Sequence, residues 1–319
     1  MFTRSLCLLC CAALISGQAQ APLPDHHVNQ LKVTILSTML ADQGIGEWGF
    51  AALVEADGRQ LLVDTGARPE TVLSNLRGLK IDLSGVRDVV LTHFHSDHTG
   101  GLMTLRTEMK KRNEAALSLV HGATGLFYSR PLPDGGEANP MIAMRSQYEA
   151  TGGQFVEHDH AAEILPGVWL TGPVARKFPE RNWSGSGKVR TQRHGGRHDT
   201  RGSIGSGEHC PGPSGDHCCG HAGIVNILTA ANTQFARQAV YAVIGGLHLY
   251  AAKDEQVDWT GGQLKRLGVR YLMGAHCTGI ESLYRLRGRI GLTRQTAVVG
   301  AVGADFTLGN GIHPGRVAQ

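Results

Sequence analysis

The chain has 319 residues, of which 41% are hydrophobic and 18% are charged, and its formal net charge at pH 7 is +4. This length fits one large domain or two modest ones, and the composition is that of a globular protein rather than a disordered one. So small a net charge gives no concentrated basic face, which argues against nucleic-acid binding.

The first 21 residues have the features of a secretory signal peptide. Arg4 precedes an apolar run over residues 6–15, and small residues with the pattern Ala19-Gln20-Ala21 follow. The run is too short to cross a bilayer. We therefore predict that residues 1–21 are removed, and that residues 22–319 are exported to the periplasm or secreted without a membrane span. The sequence does not indicate the oligomeric state.

Residues 22–319 are predicted to form a single α/β domain. The predicted strands of its first half are "LKVTILSTML", "WGFAALVEADGRQLLVDTG" with a turn at Asp57-Gly58, "VRDVVL" and "AALSLVHGATG". The predicted helices there are "PETVLSNLRGL" and "MTLRTEMKKRN". Residues 127–160 are predicted to be a less regular insertion that shapes the pocket. After a strand at "GVWLTGPV", helices and strands alternate from Ala222 onward, which indicates sheets enclosed between helices.

The segment "LTHFHSDHTG" carries the sharpest chemical signal. His93, His95, Asp97 and His98 occupy six consecutive positions directly after an apolar strand. Imidazole nitrogens and carboxylate oxygens are ligands that suit zinc and similar divalent ions. A solvated histidine-rich loop is the simpler alternative, but the flanking threonines and glycines complete a pattern far more specific than scattered histidines.

This segment, Thr92–Gly101, resembles the His-x-His-x-Asp-His signature of the metallo-β-lactamase superfamily. Asp64 in "LLVDTG" is similar to the superfamily's early strand. The segments "CGHAGIVN", "VIGGLHL" and "GAHCTG" resemble the branch that includes 7,8-dihydropterin-6-methyl-4-(β-D-ribofuranosyl)-aminobenzene-5′-phosphate synthase. The resemblance runs from about Lys32 to Leu308 and implies an αββα sandwich with a metal site along one edge of its two sheets.

The resemblance also implies the later ligands: His221 in "CGHAG", His248 in "VIGGLHL" and His276 in "GAHCTG". The middle position is usually an aspartate that bridges two metals, so an imidazole there leaves open whether one or two ions bind. The predicted ligands are His93, His95, Asp97, His98, His221, His248 and His276. We expect zinc, with iron and manganese as alternatives.

Three further residues have two interpretations each. Asp97 either coordinates a metal or acts as the catalytic general base that orients and deprotonates the attacking water. Cys219 and Cys277 either contribute a thiolate or pack as small apolar side chains.

Residues 191–218 are an anomalous Gly/His-rich segment, predicted to be disturbed or disordered. Between Thr191 and Cys219, Ile204 is the only large aliphatic or aromatic residue, although the resemblance implies two strands there. The segment could be a zinc knot, a disordered insertion, a compact glycine-rich loop or a coding-frame error. We favour the last hypothesis, because plausible codons read one base later encode two β-branched runs around an Arg-Gly-Pro turn; the nucleotide sequence would test it. His194, His198, His209 and His217 are therefore left out of the predicted site.

The predicted function is a metal-dependent hydrolase. Metal-activated water would attack an ester, lactone, amide or phosphoester of a small-molecule substrate. Two alternatives remain: a transferase like the pterin-related synthase, and a non-catalytic remnant damaged by a frame shift.

Overall fold

The computed structural model describes residues 26–180, 221–234 and 239–318. The predicted signal peptide, the anomalous segment at 191–218 and Cys219 lie outside these residues. Within the described ranges, no helix is both long enough and apolar enough to cross a membrane.

The described residues form strands and helices in the following order. The strands are β1 (Leu31–Ser37), β2 (Leu40–Ala41), β3 (Ala51–Ala56), β4 (Arg59–Val63), β5 (Asp88–Val90), β6 (Leu119–Ala123), β7 (Gln154–His158), β8 (Ala162–Leu165), β9 (Val168–Leu170), β10 (Ala242–Gly245), β11 (Tyr271–Gly274), β12 (Ala297–Val299), β13 (Ala301–Val302), β14 (Asp305–Thr307) and β15 (Gly311–His313). The helices are α1 (Thr71–Leu79), α2 (Ser96–Thr99), α3 (Leu102–Lys110), α4 (Met141–Ala150), α5 (Ile224–Gln234), α6 (Asp254–Arg266) and α7 (Ile280–Ile290), with a 3-10 turn at His276–Thr278.

The larger sheet has eight strands in the order β15-β14-β1-β3-β4-β5-β6-β7. Its strands are antiparallel from β15 to β4 and parallel from β4 to β7. The predicted turn joins β3 to β4, and both Asp57 (φ 46°) and Gly58 (φ 78°) have positive φ. Such turns match the right-handed twist of a hairpin. The strand that was predicted to start at Trp48 begins at Ala51, which leaves Trp48 in a loop.

The second sheet consists of β10, β11 and β12, which are all parallel. The carboxyl ends of parallel strands lie at one edge of a sheet, so the segments that follow β10 and β11 come close together.

Three apolar clusters define the layers. Leu62, Val89 and Val120 of the larger sheet pack with residues of α1, α3 and α4. On the other side, the second sheet packs against α5, α6 and α7. The cluster between the sheets contains residues from both, among them Ile35 of β1 and Met273 of β11. These layers form an αββα sandwich, which confirms the predicted fold class.

The prediction that residues 127–160 are irregular is wrong over part of that segment. It contains α4 and β7, and β7 pairs in parallel with β6 at the edge of the larger sheet. Met141 and Tyr148 are fully buried, and Met144 packs beside them. Their spacing of three and seven residues places them on one helix face, a periodicity that the sequence already contained.

Candidate metal centre

The first four predicted ligands lie on a short loop and a single helical turn after β5. His93 and His95 precede α2, and Asp97 and His98 lie within it. The Thr65 N–H donates to the carbonyl of His98 at 2.7 Å, which ties this turn to the segment after β4.

Gly100 and Gly101 allow that close approach. A Cβ at Gly100 would lie 2.0 Å from the carbonyl oxygen of Ala67, and one at Gly101 would lie 2.3 Å from that of Thr65. Any larger residue would push the helical turn away from the loop that follows β4. The two glycines of the "HTGG" segment therefore set the position of His98 without touching it.

The later three histidines come from segments next to the second sheet. His221 precedes α5, His248 follows β10, and His276 begins the 3-10 turn after β11. His248 (φ 52°) and His276 (φ 47°) are left-handed. This conformation costs a non-glycine residue about 1–3 kcal/mol and is common at functional sites.

The structure brings all of the predicted ligands into one cluster. Ring centroids are 4.9 Å apart for His93 and His221, 4.1 Å for His221 and His248, and 5.0 Å for His98 and His276. Two overlapping groups have ligand atoms within 4.8 Å of one another: His93, His95 and His221, and His93, Asp97 and His98. Asp97 Oδ2 also lies 3.3 Å from His276 Nε2.

The polar atoms in this cluster fit a cation. His93 Nδ1 lies 3.1 Å from Thr92 Oγ1, and His98 Nδ1 lies 2.7 Å from Asp64 Oδ2. Each ring is therefore held in place through its own Nδ1 atom. Their Nε2 atoms are buried without a hydrogen-bond partner among the described residues, as is Nδ1 of His248. Buried polar atoms without partners are costly, and a divalent ion would satisfy such nitrogens. That these side chains bind an ion nevertheless stays a prediction.

Burial and mutual repulsion keep two of these imidazoles neutral. Burial lowers the pKa of His93 well below its usual value, and the neighbouring His98 and His95 lower it further. Burial also lowers the pKa of His221, and His248 helps to bring it to about 2. Neutral rings keep the lone pair that binds a metal.

Asp97 and His276 form an ion pair within the same cluster. Burial opposes ionisation of Asp97, but the hydrogen bond with His276 and the charges of His98, His276 and His95 together outweigh it and hold the Asp97 pKa at about 2. Burial likewise opposes the charge on His276, yet the hydrogen bonds with Asp97 and Cys277 and the charges of these two groups together raise the His276 pKa to about 9. Asp97 is therefore an anion at neutral pH and the counter-charge to any cation in this site.

Asp64 is the main supporting residue that the sequence only partly revealed. It is fully buried, it has a left-handed φ of 55°, and it accepts hydrogen bonds from Thr92 N–H at 2.8 Å and Thr92 Oγ1 at 2.6 Å. With the bond from His98 Nδ1, this carboxylate orients the loop and the ring together. A carboxylate behind a metal-binding histidine fixes the tautomer and raises the basicity of the ring.

Cys277 is fully buried and interacts with the neighbouring His276, so both interpretations of its role stay predictions. His121 is not among the predicted ligands, and it pairs with His158 at 3.0 Å and with Asp88 at 3.1 Å.

Residues 49–132 match a family model described as the metallo-beta-lactamase superfamily. The chain is 27% identical over 272 residues to 7,8-dihydropterin-6-methyl-4-(beta-D-ribofuranosyl)-aminobenzene-5'-phosphate synthase of Methanocaldococcus jannaschii, with 80% of this chain and 90% of that protein covered. It is also 32% identical over 68 residues to an anti-Pycsar protein of Paenibacillus xerothermodurans, covering 21% of this chain and 26% of that protein.

A similar solved structure is that of Tm1679, described as a metal-dependent hydrolase of the beta-lactamase superfamily. It has a TM-score of 0.62 and 22% identity, and the match covers 86% of this chain and 98% of that chain. The predicted resemblance is thereby confirmed, and the two structures share their fold.

Proposed function

We propose that this chain, which carries a metallo-β-lactamase domain, is a metal-dependent hydrolase that acts on a small molecule. The observation that carries the proposal is the largely buried cluster of six histidines and one aspartate, in which His93 Nε2 and His98 Nε2 have no hydrogen-bond partner within the part of the chain that the structure describes. A bound divalent ion supplies a Lewis acid and an activated water, which suits hydrolysis of an ester, lactone, amide or phosphoester. Zinc is the metal we expect, because most of the ligands are imidazoles.

The side chains divide the work by position. His93, His95 and His221 would hold one ion. His98, Asp97 and His276 would hold a second or complete the shell of the first, and His276 would release its proton to do so. Asp64 holds His98 in the tautomer that leaves Nε2 without a proton. His95 and Asp97 are partly exposed, so the substrate reaches the site from their side.

Asp97 is better suited to binding the cation than to removing a proton. A general base works best when its pKa lies near the working pH. The pKa of Asp97 is about 2, so this carboxylate is a weak base but a constant negative charge. We therefore propose that Asp97 orients the attacking water as a hydrogen-bond acceptor while it helps to neutralise the ion.

Metal content and turnover test the proposal together. Purified protein is expected to contain at least one equivalent of zinc, iron or manganese and to hydrolyse a member of a panel with an ester, a lactone and a phosphodiester. His93→Ala should lose both properties. His121→Ala is the matched control, because His121 is a buried histidine that bonds Asp88 outside the cluster. Less than one equivalent of metal together with no turnover would favour the non-catalytic remnant instead.

A transferase is the second candidate, and the observation that favours it is the match to the archaeal synthase over 90% of that protein's length. The two activities differ in the nucleophile. A hydrolase releases product in water alone, whereas a transferase needs an added acceptor. Product that forms only when an acceptor is present would favour the transferase.

We also propose that the mature protein is exported. The charged, apolar and small-residue regions of residues 1–21 support this. Mass spectrometry of the protein from the periplasm or medium should show a chain that begins near residue 22. A full-length chain in the cytoplasm would contradict it.

A further inference from the structure

Two large aromatic side chains stand exposed beside the histidine cluster. Trp48 is 45% exposed and Tyr250 is 52% exposed. The Trp48 ring lies 4.9 Å from that of His276, and the Tyr250 ring lies 5.4 Å from that of His248. Exposed aromatic area of this size next to a polar site is typical of ligand recognition.

The two rings form a corner. Their centroids are 5.1 Å apart and their planes meet at 81°. A flat ring stacked on one of them would present its edge to the other, and both offset stacking and edge-to-face contact are favourable for aromatic pairs.

The Trp48 side of the corner is rigid, because the preceding residue anchors its loop. Glu47 is buried and accepts hydrogen bonds from Ser37 Oγ at 2.7 Å, Ala67 N–H at 2.9 Å and Arg68 N–H at 3.0 Å. On the other side of Trp48, a Cβ at Gly49 would lie 2.9 Å from the Asp97 carbonyl oxygen. The tryptophan therefore projects from backbone that is packed against the metal-binding turn.

The Tyr250 side is tied to the last ligand segment. The Tyr250 N–H donates to the carbonyl of Cys277 at 3.1 Å. Gly279, with φ of 81°, packs so closely that a Cβ there would lie 2.8 Å from Tyr250 Cα. The backbone that carries each ring is thus tied to a predicted ligand segment, which lowers the ordering cost of binding.

We propose that Trp48 and Tyr250 are specificity residues that select substrates with a planar aromatic or conjugated ring next to the bond that is cleaved. This inference rests on the proposed hydrolase function, because that function places the scissile bond at the histidine cluster. The ring would stack in the corner, and its neighbouring ester or phosphoester group would reach the cluster beside His276 and His248.

A binding experiment tests the corner without turnover. Phenylphosphonate and methylphosphonate share an anionic head and differ in the ring, and neither is a substrate for hydrolysis. By calorimetry, the wild-type chain should bind phenylphosphonate about tenfold more tightly than methylphosphonate, a difference of about 1.4 kcal/mol in binding free energy. Because stacking does not need the ion, this preference should appear both with and without added zinc.

Three variants locate the preference. Trp48→Leu and Tyr250→Leu keep apolar bulk but remove a π face. Each should bring the affinities for the two phosphonates to within about threefold of one another, because one of the two aromatic contacts is lost. Tyr241→Leu is the matched control: Tyr241 is 39% exposed and packs on Tyr271, but it precedes β10 whereas His248 follows it. A tenfold preference that survives in both Trp48→Leu and Tyr250→Leu would overturn the proposal, and so would its absence from the wild-type chain.

Turnover separates this proposal from the hydrolase itself. With an aryl and an alkyl ester, the ratio of their kcat/KM values should fall at least about threefold in Trp48→Leu, mainly through a higher KM for the aryl ester. An unchanged ratio would refute the corner although hydrolysis stands. If no member of the ester, lactone and phosphodiester panel is hydrolysed but the phosphonate preference depends on Trp48, the ring-binding corner stands and the hydrolase proposal fails.

Discussion

Replacement of Asp64 by asparagine should weaken metal binding by changing the tautomer of His98. In the native chain Asp64 Oδ1 accepts from the Thr92 N–H, while Oδ2 accepts from Thr92 Oγ1 at 2.6 Å and His98 Nδ1 at 2.7 Å. Asparagine has one carbonyl oxygen and one amide group, so one of these two positions must become a donor.

The less costly arrangement keeps the carbonyl on the Thr92 N–H, which cannot change its role. The amide then faces Thr92 Oγ1, which can rotate to accept, and His98 Nδ1, which can accept only without its proton. The proton then moves to His98 Nε2, the buried nitrogen that we predict binds the ion. Loss of such a supporting carboxylate usually lowers metal affinity about 10–100-fold, which is about 1.4–2.7 kcal/mol.

Chelator competition on purified protein measures the change in zinc affinity, and nitrogen NMR of the imidazoles reports the His98 tautomer. Asp88→Asn is the matched control, because Asp88 accepts from His121 at 3.1 Å outside the cluster. The control should keep zinc affinity within about twofold, as expected for a site away from the ion. Wild-type affinity in Asp64→Asn, with the proton still on His98 Nδ1, would refute the reasoning.

Three further predictions concern pH, packing and metal number. Burial raises the pKa of Glu180 from 4.5 to about 7, so its contribution to stability is complete below pH 4.5 and is lost as pH rises through 7. Between pH 5 and pH 8, urea unfolding should show wild type losing about 2.5 kcal/mol more stability than Glu180→Gln, which has no ionisable group at this position; equal losses would contradict the prediction. Arg106 is almost fully buried and donates hydrogen bonds to three backbone carbonyls. Arg106→Met should therefore lower the free energy of unfolding by about 3–5 kcal/mol, and a loss of less than about 1 kcal/mol would count against this reasoning. His248→Asp adds a carboxylate at a left-handed position that aspartate tolerates, and metal analysis should show a higher metal-to-protein ratio than in wild type; an unchanged ratio would argue that this position does not control a second ion.

Local pattern was sufficient to predict much of the fold. The apolar strand before His93, the Asp57-Gly58 turn and the alternation of helices and strands after Ala222 are all present in the structure. Each of these features is set by residues close together in the sequence, through turn geometry or the spacing of apolar residues. The prediction for residues 127–160 failed for two reasons. The apolar face of α4 has only three positions, and β7 lies at a sheet edge, where pairing with β6 decides the conformation of β7.

The residues of the candidate site likewise differ in whether a local sequence pattern could predict them. Residue type and spacing indicated His93, His95, Asp97 and His98, and a resemblance was needed for the three later histidines, because no local pattern joins residues so far apart. The roles of Glu47 and Trp48 had no sequence signal of this kind. Their positions follow from contacts with Ser37, Ala67 and the Asp97 carbonyl, which only the folded chain brings together.

The distribution of the predicted ligands over the two sheets explains why one half of the chain carries the recognisable signature. The segment after β5 carries four of the predicted ligands on a turn that the glycines and Asp64 hold in place, and this segment lies within the residues that match the superfamily. The other predicted ligands, His221, His248 and His276, lie on separate segments next to the other sheet. An ion held by both halves would tie the two sheets together, so its binding energy would add to the stability of the sandwich. We expect a change at position 248 to alter the number or strength of bound ions while the four predicted ligands after β5 keep their positions, so the second half is where we expect the chemistry of this site to vary.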